Sequence, residues 1–410
     1  MIISDSGIYK TPKEALKAVF GYDSFRPGQE AVINAILEGR DILAVMPTGA
    51  GKSLCYQVPA MLLSGITLVI SPLISLMQDQ VKALNEAGVD AAFINSSLSE
   101  KEMHDTFKNA SKGQYKIIYV APERLMSEGF VRLAKGVEIS MITVDEAHCI
   151  SQWGQDFRPS YMDIAEFINI LDKRPIISAF TATATQNVRE DIICSLGLSD
   201  PYFLVTGFDR ENLFFQVDKP QNKERFILDF IERHRGESGI IYCATRKNVD
   251  SLYTLLRKQH ISVGKYHAGM SNEERKQMQN DFVFDYTSIV IATNAFGMGI
   301  DKSNVRFVIH YNMPSSMENY YQEAGRAGRD GLNSECILLF SPQDIMINRF
   351  LLEHKDFSDI DPIDAMTIRE RDIKRLQIME GYCYTTECLR NYILKYFGEH
   401  PKKPCDDCGN

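Results

Sequence analysis

Short apolar runs alternate with amphipathic stretches over the first half of the chain. Each run has the length of a buried strand, and the stretches between the runs repeat apolar residues at helical spacing. This alternation predicts an α/β fold with a doubly wound parallel sheet, in which ligands bind at the carboxyl ends of the strands. The predicted strands are Asp41–Met46, Thr67–Ser71, Lys116–Val120, Ser140–Val144 and Ile176–Phe180.

The pattern pauses near Thr206–Arg210 and then restarts with a second series of apolar runs. We therefore expect two α/β lobes, residues 1–207 and 208–342, joined by a hinge. The strands predicted for the second lobe are Gly239–Cys243, Val263–Tyr266, Ser288–Ile291, Val305–His310 and Glu335–Phe340.

The strand patterns end near Pro342, and residues 343–410 are expected to form a small helical subdomain. Two helices are predicted there, Asp364–Glu380 and Thr386–Phe397. The first carries an apolar stripe that is expected to pack on a neighbouring element. The stripe consists of Ile368, Ile373, Leu376 and Met379.

Composition and charge narrow the class of protein. The 410 residues are 44% hydrophobic and 24% charged, with a formal net charge of −9. This acidic balance excludes a generally basic nucleic-acid coat but not a local basic groove, because affinity depends on the few phosphates that are contacted. No apolar run has the length of a membrane span, and the first residues lack a signal-peptide pattern. We expect a cytoplasmic, nucleoid-associated protein without a membrane partner.

A glycine-containing loop follows the first predicted strand and opens a helix. Glycines let backbone N–H groups surround phosphate oxygens, and the helix N-terminus adds donors and a positive dipole. Lys52 is expected to reach the β- and γ-phosphates, and Ser53 to hold Mg²⁺. The strict pattern has Gly where Met46 stands, and the alternative interpretation is a surface turn. We favour a nucleoside triphosphate site, whose cradle is formed by Thr48, Gly49, Ala50 and Gly51.

An acidic pair, Asp145-Glu146, follows the fourth predicted strand. Asp145 is expected to hold Mg²⁺, which prefers oxygen ligands, and Glu146 to polarise the attacking water. Such a pair alone more often caps the next helix. The lysine loop in the same lobe favours the catalytic interpretation. For the hydroxyl-rich segment Ser178–Thr183, taken alone, a strand end followed by a capped helix is the simpler interpretation.

Two arginines, Arg326 and Arg329, lie three residues apart among small residues in the second lobe. Guanidinium groups grip phosphate bidentately and keep their charge. An arginine that reaches a γ-phosphate held by the other lobe would make hydrolysis depend on lobe closure. The alternative is a solvated basic turn, and the neighbouring glycines favour the functional interpretation.

The nine cysteines do not indicate a disulfide framework. Five lie singly among apolar residues, where free cysteine usually acts as a small core residue: Cys55, Cys149, Cys194, Cys243 and Cys336. The other four, Cys383, Cys388, Cys405 and Cys408, crowd near the C-terminal end. A reducing compartment with one terminal metal site accounts for both groups.

Taken in order, these motifs resemble the RecQ family of DNA helicases, whose two lobes are the RecA-like pair of superfamily two. The resemblance covers essentially the whole chain. The matching segments are Phe20–Gln29, Met46–Ser53, Ser71–Leu76, Asp145–His148, Ser178–Thr183, Asn294–Lys302 and Gln322–Gly331. The resemblance implies hydrolysis of ATP with Mg²⁺, coupled to 3′-to-5′ movement on single-stranded DNA in repair or recombination.

The resemblance also implies roles for individual residues. Tyr22 would stack on adenine, Gln29 would read its edge, and Arg26 would support that site. Arg329 would be the leading arginine finger, with Arg326 beside it. Ser71 would take part in DNA binding or its coupling to hydrolysis.

An aromatic-rich segment, residues 149–161, matches a loop of the same family and is called the aromatic loop below. Trp153 and Phe157 offer faces that can stack on bases, and Arg158 can meet a phosphate or a base plane. The loop directly follows Glu146, so that DNA binding could reposition the attacking water. Trp153 as a core anchor is the alternative interpretation. Gln155 stands where the family often has His, which places any protonation-dependent tuning in doubt.

The terminal cysteines resemble the zinc subdomain of the family. Cys405 and Cys408 form a C-x₂-C pair suited to tetrahedral zinc, with Cys388 as a third ligand. The family pattern has a fourth Cys three residues after Cys408, and this sequence ends before it. The site is therefore expected to be incomplete, or to be completed by Cys383, His400, a nearby Asp or water.

The sequence holds no winged-helix module after the cysteines, so we expect a motor core that unwinds weakly. Single-stranded and tailed duplex DNA are the expected partners, and the chain is expected to act as a monomer. An RNA helicase remains an alternative, because nothing in the sequence reports on a 2′-OH directly. A nucleotide-gated DNA-binding or strand-annealing module that separates no strands is the other alternative.

Overall fold

The structure is a computed structural model that describes residues 9–154, 156–297, 302–355, 357, 362–401, 405 and 408–410. Three parts of the motifs above lie outside these residues, namely Gln155, Met298–Asp301 and Asp406–Asp407. Contacts divide the chain into two compact units, Met1–Gly207 and Phe208–Asn410. Each unit is described by itself.

The first unit is built on a seven-stranded sheet in which all neighbouring strands are parallel, in the order β3-β4-β2-β5-β6-β1-β7. Its central strands are buried on both faces, as a doubly covered parallel sheet requires. The strands are β1 Ile42–Val45, β2 Ile66–Ile70, β3 Ala91–Ile94, β4 Ile117–Val120, β5 Ile139–Val144, β6 Ile176–Thr181 and β7 Tyr202–Val205.

Eight helices accompany this sheet within the described residues. Two of them begin with a reciprocal capping box, Thr11 with Glu14 and Ser99 with Glu102, which satisfies backbone N–H groups at the helix start. The helices are α1 Pro12–Phe20, α2 Gln29–Leu37, α3 Lys52–Leu62, α4 Ile74–Glu86, α5 Glu100–Ser111, α6 Glu128–Gly136, α7 Asp163–Asn169 and α8 Gln186–Leu196.

The second unit is built on a six-stranded parallel sheet in the order β10-β11-β9-β12-β13-β8. Its strands are β8 Leu213–Asp218, β9 Ser238–Tyr242, β10 Val263–Tyr266, β11 Ile289–Ala292, β12 Val305–His310 and β13 Ser334–Leu339. Helices α9 to α12 accompany the sheet as α9 Lys223–Arg233, α10 Arg246–Lys258, α11 Asn272–Val283 and α12 Met317–Ala324.

Three further helices complete the second unit: α13 Pro342–Glu353, α14 Pro362–Tyr384 and α15 Leu389–Tyr396. Aromatic contacts join α12 to the last two helices. Tyr320 packs on Tyr382 of α14 with ring centroids 5.1 Å apart, and Tyr321 packs on Phe397 at 5.1 Å. The helix that precedes the two arginines is therefore held by the cysteine-bearing region of the chain.

The two parallel-sheet lobes predicted from the sequence are confirmed, but three strands were not predicted. These are β3, β7 and β8, and each is the outermost strand of its sheet. Strand β8 mixes polar with apolar residues, whereas β3 and β7 are apolar runs of four residues, which are too short for periodicity alone to distinguish from a helical segment. In the part of the chain that the structure describes, no helix combines the length and the apolar character needed to cross a membrane.

Two predictions about single side chains were wrong. Ile373 is 44% exposed, whereas Ile368, Leu376 and Met379 are buried. Five residues turn a helix by about 500°, which places position 373 roughly 140° away from position 368. Cys194 is exposed, unlike the other four singly placed cysteines.

Candidate functional site

The segment that joins β1 to the first turn of α3, residues 46–53, is called the P-loop here. Gly51 adopts a left-handed conformation, with φ of +78°, and caps α3. A Cβ at this position would lie 2.5 Å from Nε2 of Gln29, so glycine is required for space as well as for conformation. The Lys52 ammonium donates a hydrogen bond to the Met46 carbonyl at 3.2 Å, which holds it over the loop.

Gln29 and Arg26 brace the P-loop from the preceding segment. The buried Gln29 amide donates to the carbonyls of Ala50 and Gly51 at 3.0 Å each, and its oxygen accepts from the Arg26 N–H at 2.8 Å. The Arg26 guanidinium donates to the Gly49 carbonyl. Tyr22 is 55% exposed, so its ring is available for stacking. Two of the three residues expected at an adenine site, Arg26 and Gln29, therefore contact the P-loop.

Asp145 and Glu146 follow β5, next to the P-loop. Glu146 has a φ of +47°, a strained conformation for a residue with a side chain, and such strain is common at functional sites. Its carboxylate lies 3.3 Å from Nδ1 of His148, which also lies 2.9 Å from the Thr181 hydroxyl at the end of β6. The acidic pair, His148 and Thr181 thus form one polar cluster at the carboxyl ends of neighbouring strands.

The electrostatics of this cluster link Lys52 to Asp145. Burial and then the Glu146 carboxylate raise the pKa of Asp145 to about 7, whereas the nearby Lys52 ammonium lowers it. A buried carboxylate beside a second carboxylate is costly to ionise. A cation bound beside Asp145 would instead favour the ionised carboxylate, because its positive charge compensates the negative charges of the two carboxylates. The donor set of Asp145 and the Ser53 hydroxyl therefore fits a Mg²⁺ ion.

The aromatic loop is bonded directly to the cluster formed by the acidic pair, His148 and Thr181. The Tyr161 hydroxyl donates to the Asp145 carbonyl at 3.0 Å. Gly154 approaches the His148 carbonyl so closely that a Cβ would lie 2.1 Å from its oxygen. The Trp153 N–H donates to the Ser151 hydroxyl, and its side chain is 43% exposed. Trp153 is thus a loop residue rather than a core anchor, on a loop that touches the hydrolysis motif.

Arg158 and Ser71 lie where the aromatic loop meets the end of β2. The Arg158 guanidinium bonds to the Asp156 carboxylate at 2.9 Å and donates to the Pro72 carbonyl at 3.1 Å. Ser71 is 1% exposed, and its hydroxyl has no hydrogen-bond partner among the described residues. Its burial gives no support to direct contact with DNA, and its position beside Pro72 suits a coupling role.

The arginine loop, residues 325–331, follows α12 in the second unit. Arg326 is 6% exposed and lies near Gly297 and Tyr242, whereas Arg329 is half-buried. Burial raises the pKa of Tyr242 even though both arginines lower it. As a whole residue Arg329 is thus less buried than Arg326, although the Nε atom of each is buried.

Three cysteine sulfurs in the second unit lie within 4.8 Å of one another, those of Cys388, Cys405 and Cys408. Cys388 Sγ lies 3.0 Å from Cys405 Sγ and 3.7 Å from Cys408 Sγ. Tetrahedral zinc with bonds of about 2.3 Å places its sulfurs roughly 3.8 Å apart, so this donor set fits zinc. Cys388 caps α15 rather than lying within it.

The chemistry of Cys388 also suits metal binding. Burial raises the pKa of Cys388, but hydrogen bonds with Cys405, the Asn391 N–H and Cys408 lower it by a larger amount. The pKa of Cys388 therefore lies below its ordinary value. The thiolate is the form that binds metal. Within the described residues, neither Cys383 nor His400 belongs to the cluster. Cys383 is buried on α14, where burial raises the pKa of its thiol.

Sequence reasoning singled out the segments that contain the following residues but missed the hydrogen bonds that join these segments to one another. Thr181 and His148 bond across two strands, and Tyr161 bonds to the backbone of Asp145. In the second unit, Arg210 lies in the predicted hinge and donates to carbonyls of the arginine loop. Each pair is far apart in sequence or differs in type from the motif it supports, so no local signal marks it.

Three protein-family models match the chain. DEAD/DEAH box helicase matches residues 26–191, helicase conserved C-terminal domain matches 222–331, and RecQ zinc-binding matches 342–410. The three matches follow one another without overlap and cover the P-loop, the arginine loop and the cysteine cluster.

Curated relatives match nearly the whole chain. It is 50% identical over 392 residues to the ATP-dependent DNA helicase RecQ of Bacillus subtilis, which covers 95% of this chain and 65% of that protein. It is 40% identical over 405 residues to a putative ATP-dependent RNA helicase of Acanthamoeba polyphaga mimivirus, covering 98% of this chain and 72% of that protein. The chain thus spans about two thirds of the length of these relatives.

A solved structure of Saccharomyces cerevisiae Dbp5 bound to RNA and ADP BeF3 has the same fold. The TM-score is 0.65 at 19% identity, over 88% of this chain and 97% of that one. The ordered family matches and the identity to RecQ over 95% of the chain agree with the phosphate-binding, acidic and cysteine motifs in its structure. This chain therefore belongs to the RecQ family of helicases.

Proposed function

We propose that this chain is an ATP-dependent DNA helicase or translocase of RecQ type that moves 3′-to-5′ on single-stranded DNA and acts in DNA repair or recombination. One observation carries the proposal. The P-loop that carries Lys52 is bonded to the acidic cluster: the Met46 N–H donates to the Thr181 carbonyl at 2.9 Å, and the Thr181 hydroxyl lies 2.9 Å from His148, which contacts the Glu146 carboxylate. A lysine, a metal-binding carboxylate and a base beside one phosphate loop are the parts that hydrolysis of a nucleoside triphosphate requires.

In the proposed reaction, the P-loop N–H groups and Lys52 bind the β- and γ-phosphates of ATP. Ser53 and Asp145 would hold Mg²⁺, which neutralises charge on the phosphate oxygens when it is bound. Glu146 accepts the proton of the attacking water, and its contact with His148 orients the carboxylate. Tyr22, Arg26 and Gln29 are proposed to bind the adenine.

Arg329, with Arg326 beside it, is proposed to stabilise charge that develops on the γ-phosphate. The lower burial of Arg329 compared with Arg326 supports this role, because a finger residue must approach a substrate held elsewhere. We further propose three functional regions, at residues 1–207, 208–342 and 343–410, of which the last binds zinc through Cys388, Cys405 and Cys408.

Coupling to DNA is proposed to run through the aromatic loop. Trp153 and Phe157 would stack on bases of the strand, while Arg158 and Ser71 would transmit the change towards Asp145. The bond from Tyr161 to the Asp145 carbonyl supports this path, because it ties the loop to the metal-binding residue. Single-stranded and tailed duplex DNA are the proposed partners of the chain, which would act as a monomer in the nucleoid.

The first prediction tests the nucleotide site. Lys52→Ala should reduce ATP hydrolysis at least about 100-fold, because the γ-phosphate loses its ammonium partner in the transition state. Steady-state phosphate release measures the effect, with Lys135→Ala as the control, because Lys135 is an exposed lysine of the same unit. Wild-type turnover in Lys52→Ala would contradict the assignment of the P-loop.

A further inference from the structure

The arginine loop is held by a short segment at the start of the second unit. The Arg210 guanidinium donates to the carbonyls of Ala327 and Gly328 at 3.0 Å each, and to that of Gly325 at 3.4 Å. The Asn212 amide also donates to the Gly328 carbonyl, at 2.9 Å. Four hydrogen bonds therefore join the arginine loop to residues 209–213, which are called the brace segment below.

The brace segment is in turn held by a single buried arginine of α15. Arg390 is 6% exposed. Its guanidinium donates to the Asp209 carboxylate at 2.9 Å, the Arg210 carbonyl at 2.8 Å, the Glu211 carbonyl at 3.3 Å and the Leu213 carbonyl at 2.8 Å. The rigid five-donor fork of arginine can satisfy four such acceptors at once, and no lysine can do so.

Arg390 also lies beside the cysteine cluster. Its guanidinium carbon lies 5.9 Å from the centre of the ring of Phe215, a residue of β8. Cys388 caps the helix that carries Arg390. The backbone next to Cys408 adds a second connection, because the Gly409 N–H donates to the carbonyl of Phe215 on β8 at 2.8 Å.

From these contacts we infer that Arg390 is a positioning residue, which links the cysteine cluster to the arginine loop through the brace segment and Arg210. The path runs from Cys388, the cap of α15, to Arg390 on that helix, from Arg390 to residues 209–213, and from Arg210 to the carbonyls at 325–328. Loss of Arg390 removes the donor from four acceptors at once, and the Leu213 carbonyl among them is buried, where an acceptor without a donor is costly. The brace segment then shifts, and the arginine loop loses its support.

This link gives the cysteine cluster a role in hydrolysis besides stabilising its own helices. A metal held by the three cysteines would fix Cys388, and thereby the start of the helix that carries Arg390. The consequence for turnover rests on the proposed function of Arg326 and Arg329. The contact path itself does not rest on it, so the two are tested by separate measurements.

Hydrogen exchange of the arginine loop tests the path directly. The loop amides are bonded in the folded protein, for example Ala327 N–H to the Ala324 carbonyl and Gly328 N–H to the Val305 carbonyl. In Arg390→Gln and Arg390→Lys, exchange at residues 325–331 should be at least about tenfold faster than in the wild-type chain. Lys395→Gln, on the same helix with an exposed ion pair to Glu387, should exchange like the wild type.

Unchanged exchange at residues 325–331 in a folded Arg390 variant would overturn the inference. Arg210→Gln breaks the path next to the arginine loop and leaves the cysteines unchanged. If the Arg390 variants do not fold, this variant tests whether the path supports the arginine loop. It should speed exchange by a similar factor while bound zinc, measured by metal analysis, stays at the wild-type level. Turnover is measured in parallel, where a fall in kcat with little change in KM for ATP reports on the proposed role of the arginines.

Discussion

At the scale of single residues, the proposed nucleotide site depends on polar side chains that also hold the P-loop in its conformation. Gln29 is 1% exposed, and both ends of its amide bond to neighbouring backbone. The same amide is proposed to read adenine. Its two functions therefore share one side chain, whose oxygen accepts the Arg26 N–H through one lone pair and has a second lone pair for the base.

A change at Gln29 separates these functions from simple packing. Gln29→Leu keeps the volume but removes the donors to the Ala50 and Gly51 carbonyls. We expect KM for ATP to rise about tenfold, with a reduced preference for ATP over GTP. Glu30→Gln, an exposed neighbour on α2, is the control. Unchanged KM and unchanged preference would contradict the assignment of Gln29.

Asp145 illustrates how a functional group reduces stability. Its pKa in the folded protein is about 7, above the ordinary value of 3.8. The folded state therefore holds this proton more tightly than the unfolded state, and stability falls as pH rises from about 4 through 7. The cost is complete above pH 7, where the buried carboxylate is ionised without a cation.

Asp145→Asn should therefore raise the free energy of unfolding, while hydrolysis is lost. Without nucleotide or Mg²⁺, the gain should be on the order of 1–3 kcal/mol at pH 8 and smaller at pH 5. Urea unfolding at the two pH values measures it, with Asp105→Asn on the exposed face of α5 as control. An equal gain at both pH values would show that the carboxylate is not strained by its burial.

At the scale of elements, the carboxyl ends of β1, β2, β5 and β6 bring together motifs that lie far apart in sequence. The strands carry, in turn, the P-loop, Ser71, the acidic pair and Thr181. Parallel order fixes this meeting, because every strand ends at the same edge of the sheet. The aromatic loop follows β5, and its Tyr161 hydroxyl bonds to the Asp145 carbonyl. A strand of DNA bound to that loop would therefore be connected to Asp145 through this hydrogen bond.

The aromatic loop provides a test at this scale. Trp153→Ala should lower the DNA-stimulated part of the ATPase rate at least about tenfold, and lower the rate without DNA much less, because stacking contributes to strand binding and not to the phosphate site. Met162→Ala is the matched control, since Met162 is 49% exposed and follows the same loop. Equal stimulation in both variants would remove Trp153 from the coupling path.

The local sequence was sufficient to predict the motifs and strands whose residues lie within one continuous segment. The P-loop and the C-x₂-C pair are contiguous, and the central strands are continuous apolar runs, so each leaves a local pattern. The pairs Thr181 with His148 and Arg390 with Asp209 leave none. Their partners are 33 and 181 residues apart, and only the folded sheet or unit brings them together. Edge strand β8, with polar residues among apolar ones, was missed for a related reason.

At the scale of the whole molecule, the two units supply different parts of the proposed reaction. The first unit carries the P-loop and the aromatic loop, and the second unit carries the arginine loop and the three clustered cysteines. Family membership is shown by the relatives, but their names divide between DNA and RNA helicases. The nucleic acid that this chain uses is therefore the most consequential part of the proposal.

The most direct measurement is ATP hydrolysis titrated with single-stranded DNA and, separately, with RNA of matched length and sequence. The account predicts that turnover rises with DNA at least about tenfold, rises far less with RNA, and falls to background in Lys52→Ala at every concentration. Equal or greater stimulation by RNA, or none by DNA, would contradict it.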